Sequence, residues 1–305
     1  MEQTADLETR RVVRDCRWKH GPLTVRHRVT LGGLIPAIVE SWYPANNDAY
    51  GLILEDDVEL SPLFFAWIKM NILRYRYGTS SLSRELLYGI SLYSPKNVEL
   101  RPLGRQPWSA QVLFEEQGLL SKATPYLSGT PCSWGAVYFP EHWREFHDYL
   151  ISRQSEEIVP LDTIIVPDVR SNRWKKSWKR FFIEFAWLKG SVMVYPNFDN
   201  FVSFSTNHLE IGSHVADASA KARKKSLFVV PLMTLEDGMT YFLQLLDAGL
   251  PTWEDLPVVD LHGHLSSLEE IQLKGRDKRS ELCVHRSRSR GNVYSTSWCE
   301  NLSIL

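Results

Sequence analysis

Four short apolar runs, separated by segments with helical spacing, constrain the fold of this chain most strongly. Strand-like composition is found at Tyr50–Leu54, Leu86–Ser94, Trp134–Pro140 and Ser191–Asn197. Strands that alternate with helices predict a layered α/β sheet, and we expect the first run to be a central strand. Ligands of such sheets bind beyond the carboxyl ends of the strands, so residues that follow a strand are the first candidates for a site.

Composition excludes some classes of function. The 305 residues have room for one large domain or two small ones, and they are 44% hydrophobic and 23% charged with a net charge of −1. A nucleic-acid partner is not expected, because binding phosphate backbones requires an excess of basic residues. The four cysteines form no CxxC pair, and no apolar run is long enough to span a bilayer.

The first apolar run ends in three consecutive acids, Glu55, Asp56 and Asp57. One interpretation is a solvated turn in which carboxylates cap backbone amides. A second is the nucleophile loop of a phosphatase, although Glu55 would then stand where such enzymes have Asp. A third is a site for Mn²⁺ or Mg²⁺ that also binds a substrate diphosphate, because these cations prefer oxygen ligands.

Longer segments around the triplet favour the third interpretation. They are Trp18–Pro44, Tyr50–Tyr77, Ser133–Phe146, Arg170–Phe185, Val192–Phe198 and Ser203–His214. Together these segments resemble nucleotide-sugar-dependent glycosyltransferases of the GT-A fold, closest to a family-two-like eukaryotic group, over about Val12 to Leu273. The triplet resembles the Glu-Asp-Asp form of the DxD motif in N-acetylglucosaminyltransferase I-type enzymes.

The resemblance implies a GT-A-like layered α/β/α fold around a mostly parallel sheet. The domain would span residues 12–273, between a frayed N-terminus at 1–11 and a flexible polar tail at 274–305. GT-A enzymes open with a strand and a helix of the nucleotide-binding half. Neither is found ahead of Trp18, so we expect this first strand and helix to be missing and a sheet edge to be left uncovered.

The function implied is transfer of a sugar from a nucleotide-diphosphate donor to a hydroxyl of a glycan or glycolipid acceptor, with inversion. Asp57 would bind Mn²⁺ or Mg²⁺ directly, and Glu55 and Asp56 would order metal-bound water and the nucleotide ribose. The cation would neutralise the charge that develops on the leaving phosphate. The family also implies a location in the Golgi or ER lumen, or at a membrane surface.

Two other functions remain open. A GT-A-like protein without catalytic activity could bind a glycan or another protein, and the expected loss of the first strand and helix favours it. A metal-dependent phosphohydrolase could be built on the same acidic strand end, but no Asp stands at its nucleophile position.

An inverting transferase also needs a general base for the acceptor hydroxyl. The resemblance places Asp162 in this role, with Asp168 and Glu141 as rivals, and an N-cap for the residues after it is the alternative for Asp162. Trp134, followed by Gly135, is a candidate for stacking on an acceptor sugar, and a buried core position is equally consistent with it.

Histidines late in the chain are further candidates. GT-A enzymes often place a C-terminal His on the metal or the diphosphate, which makes His208 and His214 weak candidate ligands, although a single His is more often structural. We expect the His262-Gly263-His264 sequence to be a solvated loop.

A basic aromatic segment at 172–189 has two interpretations. Its large apolar residues fall near one helical stripe: Trp174, Trp178, Phe181, Phe185 and Leu188. This pattern favours a helix packed on the sheet with its lysines in solvent. A helix that lies on a membrane surface and brings the enzyme to a lipid-linked acceptor is the alternative.

Overall fold

A computed structural model describes residues 7–30, 32–119, 123–155, 160–209, 225 and 227–284 of the chain. The strands of its main sheet are β1 (Gly51–Ile53), β3 (Leu87–Ser91), β6 (Tyr126–Ser128), β7 (Ala136–Tyr138), β8 (Val192–Tyr195), β10 (Val258–Val259) and β11 (Leu265–Ser266). Two small sheets pair β2 (Val58–Leu60) with β9 (Ser205–Asn207), and β4 (Asn97–Val98) with β5 (Gln106–Pro107).

The α-helices of the described residues fill the connections between these strands. They are α1 (Leu7–Asp15), α2 (Leu34–Val39), α3 (Phe64–Asn71), α4 (Ser81–Leu86), α5 (Ala110–Glu116), α6 (Pro140–Gln154), α7 (Trp178–Lys189), α8 (Leu235–Ala248) and α9 (Leu268–Val284). A π-helical turn at Ile72–Arg76 extends α3, and 3₁₀ turns lie at Arg170–Arg173 and Asp199–Phe201. The predicted mixture of helices and strands is confirmed. Among the described residues, no helix is both long and apolar enough to cross a membrane.

The main sheet is mixed, in the order β1-β7-β3-β8-β6-β10-β11. Only the pairs β3–β8 and β6–β10 are parallel, and the other four neighbouring pairs are antiparallel. The prediction of a mostly parallel sheet is therefore wrong. Apolar runs mark strands that are covered on both faces, and in this sheet antiparallel strands such as β7 are as fully buried as parallel ones.

Side chains of the central strands alternate between two apolar cores, one on each face of the sheet. Tyr88, Tyr138 and Met193 contribute to the core that contains α6 and α7, whereas Leu87 and Val137 contribute to the core that contains α3. Period-two alternation is the pattern that places helices on both faces of a sheet.

Strand β1 lies at an edge of the main sheet, so the prediction of a central strand is wrong. It pairs with β7 on one side, through Gly51 with Tyr138 and Ile53 with Ala136. Leu52 and Leu54 are 37% and 41% exposed. A three-residue apolar run indicates that the two faces of a strand are covered. It does not indicate whether the strand has one or two neighbouring strands in the sheet.

Helix α7 is buried nearly all round, which confirms the packed interpretation of the basic aromatic segment. Its carboxylate Glu184 accepts hydrogen bonds from Arg153 Nε at 2.9 Å, Arg180 Nε at 3.0 Å and the Tyr149 hydroxyl at 2.8 Å. These donors satisfy a charge that would be costly to bury alone. Lys189 is buried, so the expectation that the lysines of this helix lie in solvent is wrong for it, and Arg180 is buried as well.

Two boundaries predicted for the ordered domain differ from the structure. Helix α9 continues through 274–284, so this part of the predicted flexible tail is wrong, and 285–305 lies outside the described residues. The charged composition was misleading because α9 packs through a glycine, Gly275, whose position lies against the end of α7. Residues 7–11 of the predicted frayed terminus begin α1, which buries no side chain. Residues 23–29 alternate like a strand but form none.

Candidate functional site

The acidic triplet lies in a tight loop between β1 and β2. The backbone N–H of Val58 donates to the carbonyl of Glu55 at 3.3 Å, which closes the turn. Strand β2 then pairs antiparallel with β9, with Val58 opposite Asn207. The loop is therefore held on one side by the main sheet and on the other by the small sheet.

The segment that follows β9 fixes Asp57. Asn207 Nδ2 donates to Asp57 Oδ1 at 2.7 Å, and the backbone N–H of His208 donates to the Asp57 carbonyl at 2.8 Å. The Asn207 amide is itself oriented, because its Oδ1 accepts from the N–H of Leu209 at 2.8 Å. The Asp57 carboxylate is thus held in a fixed orientation at the end of the loop, directly before β2.

Glu55 differs electrostatically from an ordinary surface carboxylate. Burial, together with the negative charges of Asp57 and Asp56, raises the pKa of Glu55 to about 7, although the Lys179 ammonium opposes the rise. A carboxyl with this pKa exchanges a proton near neutral pH, whereas an exposed Glu titrates near pH 4.

A solvent-open cleft lies near the triplet. None of the three acids lines it, but Glu99 and Lys179 in its wall interact electrostatically with Glu55. The walls of the cleft come from the loops after β3, β6 and β10 and from the start of α7. The aromatic side chains that line it are Tyr93, Trp108, Tyr126, Trp134 and Tyr195. Aromatic rings with a few polar groups are typical of a site that binds a small molecule or a sugar ring.

Trp134 lines this cleft, and its ring is also packed against other aromatic side chains. Its stacking on an acceptor sugar stays a prediction. Its ring makes edge-to-face contacts with Tyr93 and Phe228, at centroid distances of 4.9 and 5.0 Å. Gly135 has φ +94°, and a Cβ there would lie 3.0 Å from the Ser205 side chain and 3.6 Å from Leu54. The positive φ and the close approach to Ser205 of β9 both favour glycine at the start of β7.

An ion-pair cluster lies in the wall of the cleft. Glu99 pairs with Lys179 and, at 2.9 Å, with Arg105 Nη2. Burial alone would raise the pKa of Glu99, but the two cations lower it to about 2. Sequence reasoning missed Glu99 and Lys179: no motif surrounds Glu99, and Lys179 was taken for a solvated lysine of the basic helix. Its position directly after the buried Trp178 was the available signal.

The histidine candidates have different outcomes. The backbone of His208 touches Asp57, but its ring Nε2 lies 2.7 Å from Glu59 Oε2 rather than on the triplet. His214 lies outside the described residues. In the sequence 262–264 the backbone N–H groups of both histidines donate to Asp260 Oδ1 at 2.9 Å, which makes this segment a turn. The ligand roles of His208 and His214 stay predictions.

The candidate bases lie in different surroundings. Asp162 is exposed in the loop after α6, which Arg153 and Arg180 fix by donating to the carbonyls of its neighbours. Asp168 is exposed and has φ +53°. Glu141 binds Arg76 through both carboxylate oxygens, which commits it to an ion pair. The role of Asp162 stays a prediction, and Glu141 is the weakest of its rivals.

The donor set at the triplet fits a cation that is shared with a substrate. In the described part of the chain, no three His, Cys, Asp or Glu side chains converge as a protein-only metal site requires. Mg²⁺ commonly takes only one or two carboxylates together with phosphate oxygens. Asp57, preoriented and next to two further acids, is such a carboxylate.

A comparison with family models matches the N-terminal half of the chain to one family. The model described as the SPBC1E8.03c C-terminal domain matches residues 1–159, just over half of the chain. The chain belongs to the SPBC1E8.03c C-terminal domain family. The part matched to this family includes the triplet, Trp134 and Gly135, while Asp162 and His208 follow it. A search of curated proteins found no match.

Proposed function

We propose that this member of the SPBC1E8.03c C-terminal domain family is a metal-dependent glycosyltransferase with GT-A-like layering. The observation that carries the proposal is the preoriented Asp57, at the end of β1 near an aromatic cleft. The resemblance of the surrounding segments to nucleotide-sugar-dependent enzymes supports it. A Golgi or ER location rests on this resemblance alone.

The residues divide the work between donor and acceptor. Asp57 holds Mn²⁺ or Mg²⁺ together with the diphosphate, and the cation supplies charge neutralisation of the leaving phosphate. Asp56, which is exposed, faces the solvent side where a ribose would lie. Trp134 offers a ring face or edge to the acceptor sugar within the cleft.

The protonation state of Glu55 would affect the binding of the cation and the nucleotide. With a pKa of about 7 it carries less than a full negative charge at neutral pH. Glu55 would be ionised beside a bound divalent cation, so it would give up its proton when the cation binds. Nucleotide and metal affinity should therefore rise between about pH 6 and 8.

A thermal-shift panel tests the proposed function. The protein is titrated with nucleoside diphosphates of different bases, each with Mn²⁺, with Mg²⁺ and with EDTA. A ligand at a hundred times its Kd adds about 2.7 kcal/mol to the free energy of unfolding, which is readily seen. We expect at least one nucleotide to stabilise the protein only when the cation is present. If none does, the protein is better described as a binding protein without transferase activity.

A further inference from the structure

A second polar cavity lies away from the acidic triplet. It is open to solvent and is lined by Glu85, Leu86, Lys189, Gln272, Arg276 and Arg279. These residues come from the end of α4, the end of α7 and one face of α9. Three of the six side chains are cations, of which Lys189 is buried, Arg279 is half-buried and Arg276 is exposed.

The cavity opens at the ends of the strands opposite to those that the triplet follows. Leu86 directly precedes β3, and Lys189 comes shortly before β8, so both mark amino ends of strands. The triplet follows the carboxyl end of β1, which points the same way as β3 because both are antiparallel to β7. The cavity is therefore separate from the proposed transferase site.

The two guanidinium groups of this cavity lack a balancing acid. Lys189 pairs with Glu145, whereas no carboxylate of the described residues lies within ion-pairing distance of Arg276 or Arg279. Arg279 Nη1 donates to the Leu188 carbonyl at 2.7 Å. Burial and the neighbouring Arg276 charge lower the pKa of Arg279. Arg276 and Arg279 lie one helical turn apart, a spacing at which like charges weakly destabilise a helix.

The charges around the cavity indicate the sign of the charge that a ligand would carry. Lys189, Arg276 and Arg279 contribute three positive charges, and Glu85 in the wall together with Glu145 behind Lys189 contributes two negative charges. One positive charge is left over, and both guanidiniums have donors to spare. A planar guanidinium presents a fork of N–H donors that matches the oxygens of a phosphate group.

We propose that the cavity between α4, α7 and α9 binds a phosphate group. Arg276 and Arg279 provide bidentate donors, and the Gln272 amide provides a neutral one. The group can belong to a soluble phosphorylated molecule or to the headgroup of an anionic lipid, and the chemistry of the cavity is the same for both. Because the cavity and the triplet lie at opposite ends of the strands, this site can be filled while the cleft is occupied.

The test measures binding of inorganic phosphate and of vesicles to the whole chain. Phosphate is titrated against chloride at equal ionic strength and followed by thermal shift. Vesicles of phosphatidylcholine, with and without phosphatidic acid, are followed by flotation. Stabilisation by phosphate alone points to a soluble phosphorylated ligand, and flotation that depends on phosphatidic acid points to a headgroup; both support the site. If the protein shows neither response, the proposal is overturned.

Two variants on α9 distinguish binding at this cavity from a general effect of positive charge. Arg276→Gln should weaken phosphate or vesicle binding at least about tenfold. Lys274→Gln removes one positive charge from the same helix, where Lys274 pairs with Glu270, and should leave binding unchanged. Arg276→Gln should also keep or raise the stability of the unliganded protein, because it removes the repulsion on Arg279. Equal binding by the two variants would contradict the proposal.

Discussion

At the scale of single residues, the three acids of the triplet are not equivalent. Asp57 is oriented by Asn207 and by the β2–β9 pairing, whereas Asp56 is exposed. Glu55 is half-buried, and its pKa is raised to about 7. Their sequence positions predicted that they share a loop, but only the fold distinguishes the oriented carboxylate from the one that holds a proton.

The raised pKa of Glu55 predicts a stabilising substitution. Its pKa is higher in the folded protein than the ordinary value of 4.5, so the folded state holds the proton more tightly. Its contribution is complete below about pH 4.5 and is lost as the pH rises toward 7. Glu55→Gln, which stays neutral, should therefore raise the free energy of unfolding by about 1–3 kcal/mol at pH 8. Urea unfolding at several pH values measures this.

The exposed neighbour Glu59 provides the matched control. Glu59→Gln removes an exposed carboxylate from β2, where the side chain pairs with the His208 ring. Its effect on stability should stay within about 0.5 kcal/mol. An advantage of Glu55→Gln that is as large at pH 4 as at pH 8 would show that charge burial is not its cause.

At the scale of secondary-structure elements, the contact of α9 with α7 defines the end of the described domain. A Cβ at Gly275 would lie 2.3 Å from the Trp187 carbonyl oxygen and 2.7 Å from that of Leu188. Both neighbours are backbone atoms, which cannot move aside as a flexible side chain can. The two helices can approach this closely only because the position is glycine.

This close approach reverses the usual effect of replacing a helical glycine. Gly→Ala inside a helix normally stabilises by about 0.5–1 kcal/mol. Gly275→Ala should instead destabilise the protein by about 1–3 kcal/mol, because α9 must shift away from α7. Chemical unfolding of this variant and of Ser280→Ala, an exposed position on the same helix, measures the difference. Equal stability of the two variants would contradict the packing of α9.

Element identity was predictable from the sequence more often than element environment. The runs at Tyr50–Leu54, Trp134–Pro140 and Ser191–Asn197 each contain a strand of the structure. Apolar composition records burial, so it could not show that β1 is an edge strand or that β7 is antiparallel to its neighbours. The segment at 274–284 was predicted to be flexible because it is charged. It is helical instead, and its glycine packs against the end of α7.

At the scale of the whole molecule, the N-terminal helix is not part of the core. Helix α1 buries no side chain. Deletion of residues 1–15 should therefore change the free energy of unfolding by less than about 0.5 kcal/mol. Urea unfolding of the shortened chain checks this, and a loss of about 2 kcal/mol or more would show that the segment packs on the domain.

The candidate site depends on parts of the chain that are far apart in sequence. The sequence predicted the triplet and Trp134, but not that Asn207 would hold Asp57 or that Lys179 and Glu99 would face Glu55. These contacts arise from the pairing of β2 with β9 and from the placement of α7, and no local pattern records either. The role of Asp162 likewise depends on where an acceptor lies in the cleft.

Binding of a nucleoside diphosphate with Mn²⁺ to Asp57→Asn tests the central claim most directly. The substitution keeps an oxygen that can accept from Asn207, so the fold should persist while the charge is removed. Calorimetry should show at least about tenfold weaker binding for Asp57→Asn than for the wild type, since charge-assisted contacts are the strong ones. Glu59→Gln should bind within about twofold of the wild type. Binding by Asp57→Asn that is as tight as that of the wild type would contradict the assignment.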